Sequence, residues 1–310
     1  MASALDPALR TRLEEADWYD HMGTLSCFGT TWTVRTDDPE LAALLRELFD
    51  SVRSPRTDDP PMACFSVLTP SPDGPGVVIR DTAWVAYEGS SAGAVLSGLV
   101  WCINRLVIEE VSGHLLLHTT AAAVDGEALL MVGRPNSGKT TLLTGLLERG
   151  YDYMTDEVVS LDDDLNVTGF PKPLTIDRGA WQLLGHLDPR CGATRDRFHA
   201  QQWHVATPRL AKVAPRGRIA TVVFPRYRAG ATTSIRALSP AQAVAKLVPN
   251  VFAPEQAVLP LDRVMHIVAL AAAVPTYAMD YGDRDAAIEK LSALAPECRP
   301  HRLPAPTERG

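Results

Sequence analysis

Residues Gly133-Arg134-Pro135-Asn136-Ser137-Gly138-Lys139-Thr140 satisfy the pattern G-x-x-x-x-G-K-[ST] in full, and that pattern imposes a local geometry. An apolar run, Leu129-Leu130-Met131-Val132, precedes it, and an amphipathic stretch from Lys139 to Arg149 follows. The expected unit is strand, glycine-rich loop, helix. Glycines let main-chain N–H groups wrap an anion, and the helix start adds partial positive charge. A chain built on this unit is expected to be α/β, with the loop strand inside a sheet. If a nucleoside triphosphate occupies the loop, Gly133 to Thr140 and the adjoining Thr141 surround its phosphates. Lys139 would then reach the β and γ oxygens, and Thr140 would place its hydroxyl on Mg²⁺. The pattern leaves GTP open beside ATP.

The rest of the chain restricts the partners. A net charge of -7 speaks against nucleic acid as the main ligand. At 46% hydrophobic and 22% charged residues the chain has ample material for a buried core. Cys27, Cys64, Cys102, Cys191 and Cys298 are scattered, with no C-x-x-C pair, a spacing that suits reduced thiols and a cytoplasmic protein. The N-terminal residues lack the apolar run of a signal peptide. Of two apolar stretches, Ala92 to Ile103 is short, and Val264 to Ala278 is interrupted by His266 and Pro275. Neither reaches the roughly 18 apolar residues of a membrane span, so no membrane partner is expected.

Ahead of the loop, residues 1–90 read as a small N-terminal α/β unit, a candidate for substrate recognition. Asp38-Pro39-Glu40 has the form of a helix start, and Leu41, Leu44, Leu45, Leu48 and Phe49 follow at helical spacing. Short strands are expected at Cys64 to Leu68 and Gly76 to Ile79, and a helix from Ser90 to Val111 opens a core spanning 91–298. Within that core, Leu115 to Val124 and Ala128 to Val132 read as strands joined by an Asp125-Gly126 turn. Gly150 closes the helix after the loop, and a strand from Tyr151 to Leu161 follows. Residues 299–310 read as a flexible tail.

Asp156 and Glu157 follow Lys139 by 17 and 18 residues, at the mouth of that last strand. A strand next in sequence can lie beside the loop strand and present its carboxylates there. One acid could hold Mg²⁺ and the other could accept a proton from an attacking hydroxyl. The bland alternative is a solvated acid pair, as Asp162 to Asp164 are read. His118 precedes the hairpin that feeds the loop, where it could lie near the phosphates or serve the core. Lys172 and Arg226 each follow a strand-like run, and with Arg209 and Lys212 they are candidates for a cation over the γ-phosphate.

Together His118, the Asp125-Gly126 turn, Gly133 to Thr140 and Asp156-Glu157 resemble the HPr kinase/phosphorylase family and its wider relatives. That family shares the P-loop fold of phosphoenolpyruvate carboxykinase, a mixed-sheet α/β core. Phe170-Pro171-Lys172-Pro173-Leu174 is similar to a proline-rich strand of the looser relatives, and Val274-Pro275-Thr276-Tyr277 to the segment before their last helix. The likeness runs from about Leu115 to Leu294. The second acid is Glu157 where the family usually has aspartate, and the later signature of HPr kinases proper is missing. The resemblance is thus to the looser relatives, among them kinases that tailor ribosomally made precursor peptides. It implies ATP, Mg²⁺ and a peptide or protein substrate bearing an acceptor hydroxyl, and it is compatible with an oligomer. Asp156 then matches the catalytic base, Thr140 and Glu157 match metal positions, and His118 matches a histidine near the active site. The loop also looks like the first motif of Era-type GTPases, but neither a later D-x-x-G nor N-K-x-D is present. A non-catalytic nucleotide-binding scaffold and a small-molecule kinase stay open as alternatives.

Overall fold

The computed structural model describes residues 3–20, 22–55, 59–111, 115–135, 137–190, 196–252 and 259–294. Asn136 and the tail over 299–310 lie outside the described residues, as do Cys191 and Cys298. The chain is mixed α/β with mixed sheets. It forms two compact units, Met1–Gly113 with Lys172–Thr207, and His114–Pro171 with Pro208–Gly310.

The first unit carries β1 (Ser3–Ala4), α1 (Pro7–Glu15), β2 (Leu25–Cys27), β3 (Thr30–Thr36), α2 (Pro39–Leu48), β4 (Ala63–Leu68), β5 (Gly76–Arg80), β6 (Trp84–Gly89) and α3 (Ala92–Glu110). Its sheet runs in the order β1-β6-β5-β4-β3-β2. Only β3 and β4 are parallel, so the chain must cross over between them, and α2 makes the crossing. The expected helix start is real: Asp38 Oδ1 accepts from the N–H groups of Glu40 (2.8 Å) and Leu41 (3.0 Å). Such a cap is worth about 1 kcal/mol.

Helix α3 belongs with this unit and not with the core that follows it. It packs along β5 and β6 and buries Leu96, Leu99, Ile103, Leu106 and Val107. Its apolar character continues past Ile103, so the 19-residue helix is, by length and composition, apolar enough to cross a membrane. Here it is mostly buried among protein side chains.

The second unit holds β7 (Leu115–His118), β8 (Thr120–Val124), β9 (Glu127–Met131), α4 (Lys139–Glu148), β10 (Asp152–Thr155), β11 (Val158–Leu161) and β12 (Asn166–Gly169). The chain then passes through β13 (Leu174–Asp177), α5 (Arg178–Trp181) and β14 (Gln202–Val205), which return to the first unit as a two-stranded ribbon. Residues 170–173, read from sequence as part of a proline-rich strand, are instead irregular chain. The second unit resumes with β15 (Arg216–Tyr227), β16 (Ser234–Ala237), α6 (Pro240–Leu247), α7 (Leu261–Ala273), β17 (Thr276–Tyr281) and α8 (Arg284–Leu294).

Two long strands expected from sequence are each broken. Leu115 to Val124 parts at Thr119 into β7 and β8, and Tyr151 to Leu161 parts at Asp156-Glu157 into β10 and β11. The order β10-β8-β9-β15-β12-β11-β7 puts the β8–β10 ladder at one end of the sheet and the β7–β11 ladder at the other. One residue and two residues link those ends, so the sheet curls back on itself. Inside the curl, Leu117, Ala121, Leu130, Val159 and Val222 pack against α6 and α7. The Asp125-Gly126 turn joins β8 to β9 with both residues at positive φ (49° and 81°), as a type I′ turn requires. Helix α4 ends in a Schellman motif, with Gly150 N–H donating to Leu147 O (3.0 Å) and Tyr151 N–H to Leu146 O (3.2 Å).

Candidate functional site

Parallel strands β9, β15 and β17 finish along one edge of the second unit's sheet. Val132 keeps its bond to Val223 O (2.9 Å), and the chain then turns through 133–138 into α4. Gly138 lies at φ +88°, and a Cβ there would fall on the Tyr281 hydroxyl, so only glycine fits. The N–H groups of the first turn of α4 have no intrahelical acceptors, as at any helix start. Ser137 Oγ is buried with no hydrogen-bond partner among the described residues. Thr140 and Thr141 open the helix half-buried.

Lys139 is only 8% exposed. Its ammonium donates to Gly133 O (2.7 Å) and Arg134 O (3.0 Å), curling over the start of the loop. Burial lowers its pKa from the usual lysine value, while Glu157 and Asp156 act in the opposite sense. Both acids therefore lie within electrostatic reach of the loop lysine.

The two strand breaks explain how. Thr119 N–H donates to Glu157 O (3.0 Å), and its hydroxyl donates to Met131 O (3.0 Å), which pins one break against the loop strand. Across the other break, Thr155 Oγ1 accepts from the N–H groups of Glu157 (3.1 Å) and Val158 (3.2 Å). The backbone polar groups freed by the breaks are thus satisfied locally. His118, last residue of β7, stands opposite Val158 and brings Nδ1 to 3.5 Å from Glu157 Oε1. Its ring meets Phe252 edge-on with centroids 5.6 Å apart. Burial lowers the His118 pKa and outweighs the neighbouring Glu157, with Lys139 adding to the decrease. The imidazole is therefore mostly neutral at pH 7.

Asp156 accepts a hydrogen bond from the Tyr153 hydroxyl (3.0 Å). Residues three apart on a regular strand face opposite sides. Here Tyr153 opposes Ala122 and Thr155 opposes Ala121, so one extra residue bulges between them. The bulge shifts the alternation by one and brings Tyr153 and Asp156 to one side. Burial, then the adjacent Asp156, push the Tyr153 pKa well above the ordinary value, so the phenol stays a donor.

The proposed cations separate. Arg226 is exposed and grips Asp280 with Nε and Nη2 (2.5 and 2.8 Å) where β15 pairs β17. It lines a cavity of about 840 Å³ together with Gly133, Arg134, Ser137, Phe224, Arg236 and Lys246. Lys172 falls in the first unit and is 1% exposed. Its ammonium donates to Pro173 O (3.2 Å) and Thr175 Oγ1 (3.4 Å). Lys212 is largely exposed, 3.9 Å from Asp152.

The expected positions at His118, Lys139, Asp156 and Glu157 come together in the second unit. Tyr153, Thr119, Thr155 and Tyr281 were not foreseen, because their roles depend on a bulge, two strand breaks and a contact 144 residues apart in sequence. Among the described residues, no group of three His, Cys, Asp or Glu side chains could hold a metal. Thr140, Asp156 and Glu157 carry oxygen donors of the kind Mg²⁺ takes, and the buried Ser137 hydroxyl could donate to a phosphate oxygen.

No protein-family model matches the chain, and no curated protein matches it. Among solved structures, the chain is similar to the Hpr(Ser) kinase/phosphatase from Coxiella burnetii. The match has 10% identity and a TM-score of 0.30, and it covers 57% of this chain and 91% of that one.

Proposed function

We propose that this chain is an ATP- and Mg²⁺-dependent kinase with a P-loop core of the phosphoenolpyruvate-carboxykinase type. It transfers phosphate to a serine or threonine hydroxyl of a peptide or protein, with a ribosomally made precursor peptide as the favoured acceptor. The observation that carries the proposal is the convergence of Lys139 with Asp156, Glu157 and His118 at the two strand breaks. Solvated surface acids would have no reason to gather around a buried lysine at a helix start.

In this reading the main-chain N–H groups of 137–141 hold the phosphates, and Lys139 trades a loop carbonyl for a γ oxygen. Asp156, oriented by Tyr153, accepts the proton of the acceptor hydroxyl. The acceptor oxygen bonds to the γ phosphorus, the bond to the β–γ bridging oxygen breaks, and ADP leaves. Neutral His118 orders Glu157 and adds no positive charge at the acceptor. Mg²⁺, when bound by Thr140 and Glu157, would offset charge on the transferring group. The cavity lined by Phe224, Arg236 and Lys246 lies on the β15 side of the loop, whereas β8 and β10 flank its other side. It suits the nucleoside, leaving the acid side for the acceptor.

The test is incubation with Mg²⁺ and γ-labelled ATP against short hydroxyl-bearing peptides, free serine and sugars. Peptide labelling is expected. Nucleotide binding without label on any acceptor favours a scaffold, and label on free serine or sugars favours a small-molecule kinase.

A further inference from the structure

Tyr281 ends β17, and its hydroxyl donates to Ser137 O inside the loop (3.3 Å). The ring is packed edge-on against Tyr227 at 5.6 Å, which fixes the direction of the hydroxyl. One turn on, Arg284 at the start of α8 donates to Thr141 O (3.3 Å) and Glu148 Oε1 (2.8 Å). The connection from β17 to α8 therefore touches the loop and both ends of the helix that the loop feeds.

We infer that Tyr281 is a positioning residue that sets the orientation of the Ser137–Gly138 peptide for phosphate binding. In a trans peptide the C=O and the following N–H point in opposite directions. A donor that captures Ser137 O consequently turns the Gly138 N–H away from Tyr281. Gly138 is the residue most able to let that peptide flip, because its left-handed φ of +88° carries no side-chain restraint. The hydroxyl sits where a Cβ of residue 138 would lie, so the glycine and the tyrosine fit as a pair. One supplies the freedom the loop needs, and the other removes it. Burial lifts the phenol pKa to about 12, so Tyr281 remains a donor across the working pH range. Without the hydroxyl the peptide samples both orientations, and only one presents the N–H to an anion.

This inference rests on the nucleotide reading, and one experiment separates the two. Tyr281→Phe keeps the ring and its contact with Tyr227 and removes only the donor. Titration of wild type and variant with Mg²⁺-ATP and with tripolyphosphate alone should show both dissociation constants raised about five- to tenfold, the loss of one hydrogen bond. Amide exchange over 133–142 should quicken while the melting temperature stays within about 2 °C. Equal affinities in wild type and variant would overturn the role of Tyr281 and leave the nucleotide reading intact. Weakened binding with a matching fall in melting temperature would also overturn it, since the tyrosine would then be merely structural. A wild-type chain that binds neither probe would remove both.

Discussion

Two buried lysines, one in each unit, are held in different ways. Lys139 is held by carbonyls of its own loop, with Asp156, Glu157 and His118 around it. Lys172 is held by Pro173 O and Thr175 Oγ1, next to a hydrogen-bonded run from Thr175 to His204 Nδ1 (3.3 Å) and from His204 Nε2 to Ser97 Oγ (3.1 Å). Burial costs both ammonium groups solvation. The difference lies in the partners. A loop carbonyl beside a helix start can be exchanged for a ligand oxygen at little cost, whereas the Thr175 hydroxyl that accepts from Lys172 is also bonded to His204. A buried charge marks a binding site when its partners can be traded, and burial alone does not distinguish the two.

Asp156→Asn should have the largest effect. It should lower kcat about 10³-fold, within the usual range for a lost general base, with the ATP dissociation constant within about threefold of wild type. Rapid-quench transfer and equilibrium titration read the two quantities, and near-normal kcat would remove Asp156 from its role.

The polar core of the first unit should instead respond to acid. Burial, with Lys172 and His199 nearby, depresses the His204 pKa to about 3. The unfolded chain binds a proton near the ordinary histidine value, so it holds more protons than the folded chain between there and about 3. This stability is present at neutral pH and is lost as pH falls through that window. The loss is at most about 3 kcal/mol by pH 4. Urea midpoints at pH 7 and pH 4 should show the drop, and His204→Phe should flatten it.

Lys172→Ala should cost about 2 kcal/mol of stability and leave ATP affinity unchanged. If it weakens ATP binding, the contrast between the two lysines fails. The smallest effect is expected at the cavity, where Arg236→Ala should weaken ATP about threefold and tripolyphosphate not at all. Equal weakening of both would make the cavity an anion site and not a nucleoside site.

Much of this was legible in the sequence where chemistry is local. The Asp38 cap, the Asp125-Gly126 turn, the loop and the Gly150 helix end each follow from a few neighbouring residues, and each is present. The acids beside Lys139 could be inferred from order along the chain. What could not be read depends on distant contacts. Thr30–Thr36 buries alternate residues as a strand does, but two of the four buried positions are Thr30 and Thr36, so hydropathy alone does not show the alternation. Helix α3 groups with the first unit, which its sequence does not announce because an apolar face fits either side of a boundary. The burial of Lys172 could not be read either, because exposure is not written in a residue type. The broken strands read as continuous because Thr119 and Asp156-Glu157 differ from strand residues only in what they bond across the sheet.

The bulge between Tyr153 and Thr155 makes strand register, in addition to residue identity, a determinant of the chemistry. Regular pairing over the same residues, with no bulge, would instead turn the Asp156 carboxylate to the far side of the sheet. Every motif residue would still be present in the gene. A comparison that scores matched letters would count such a chain as intact, although its carboxylate could no longer meet the tyrosine that aims it.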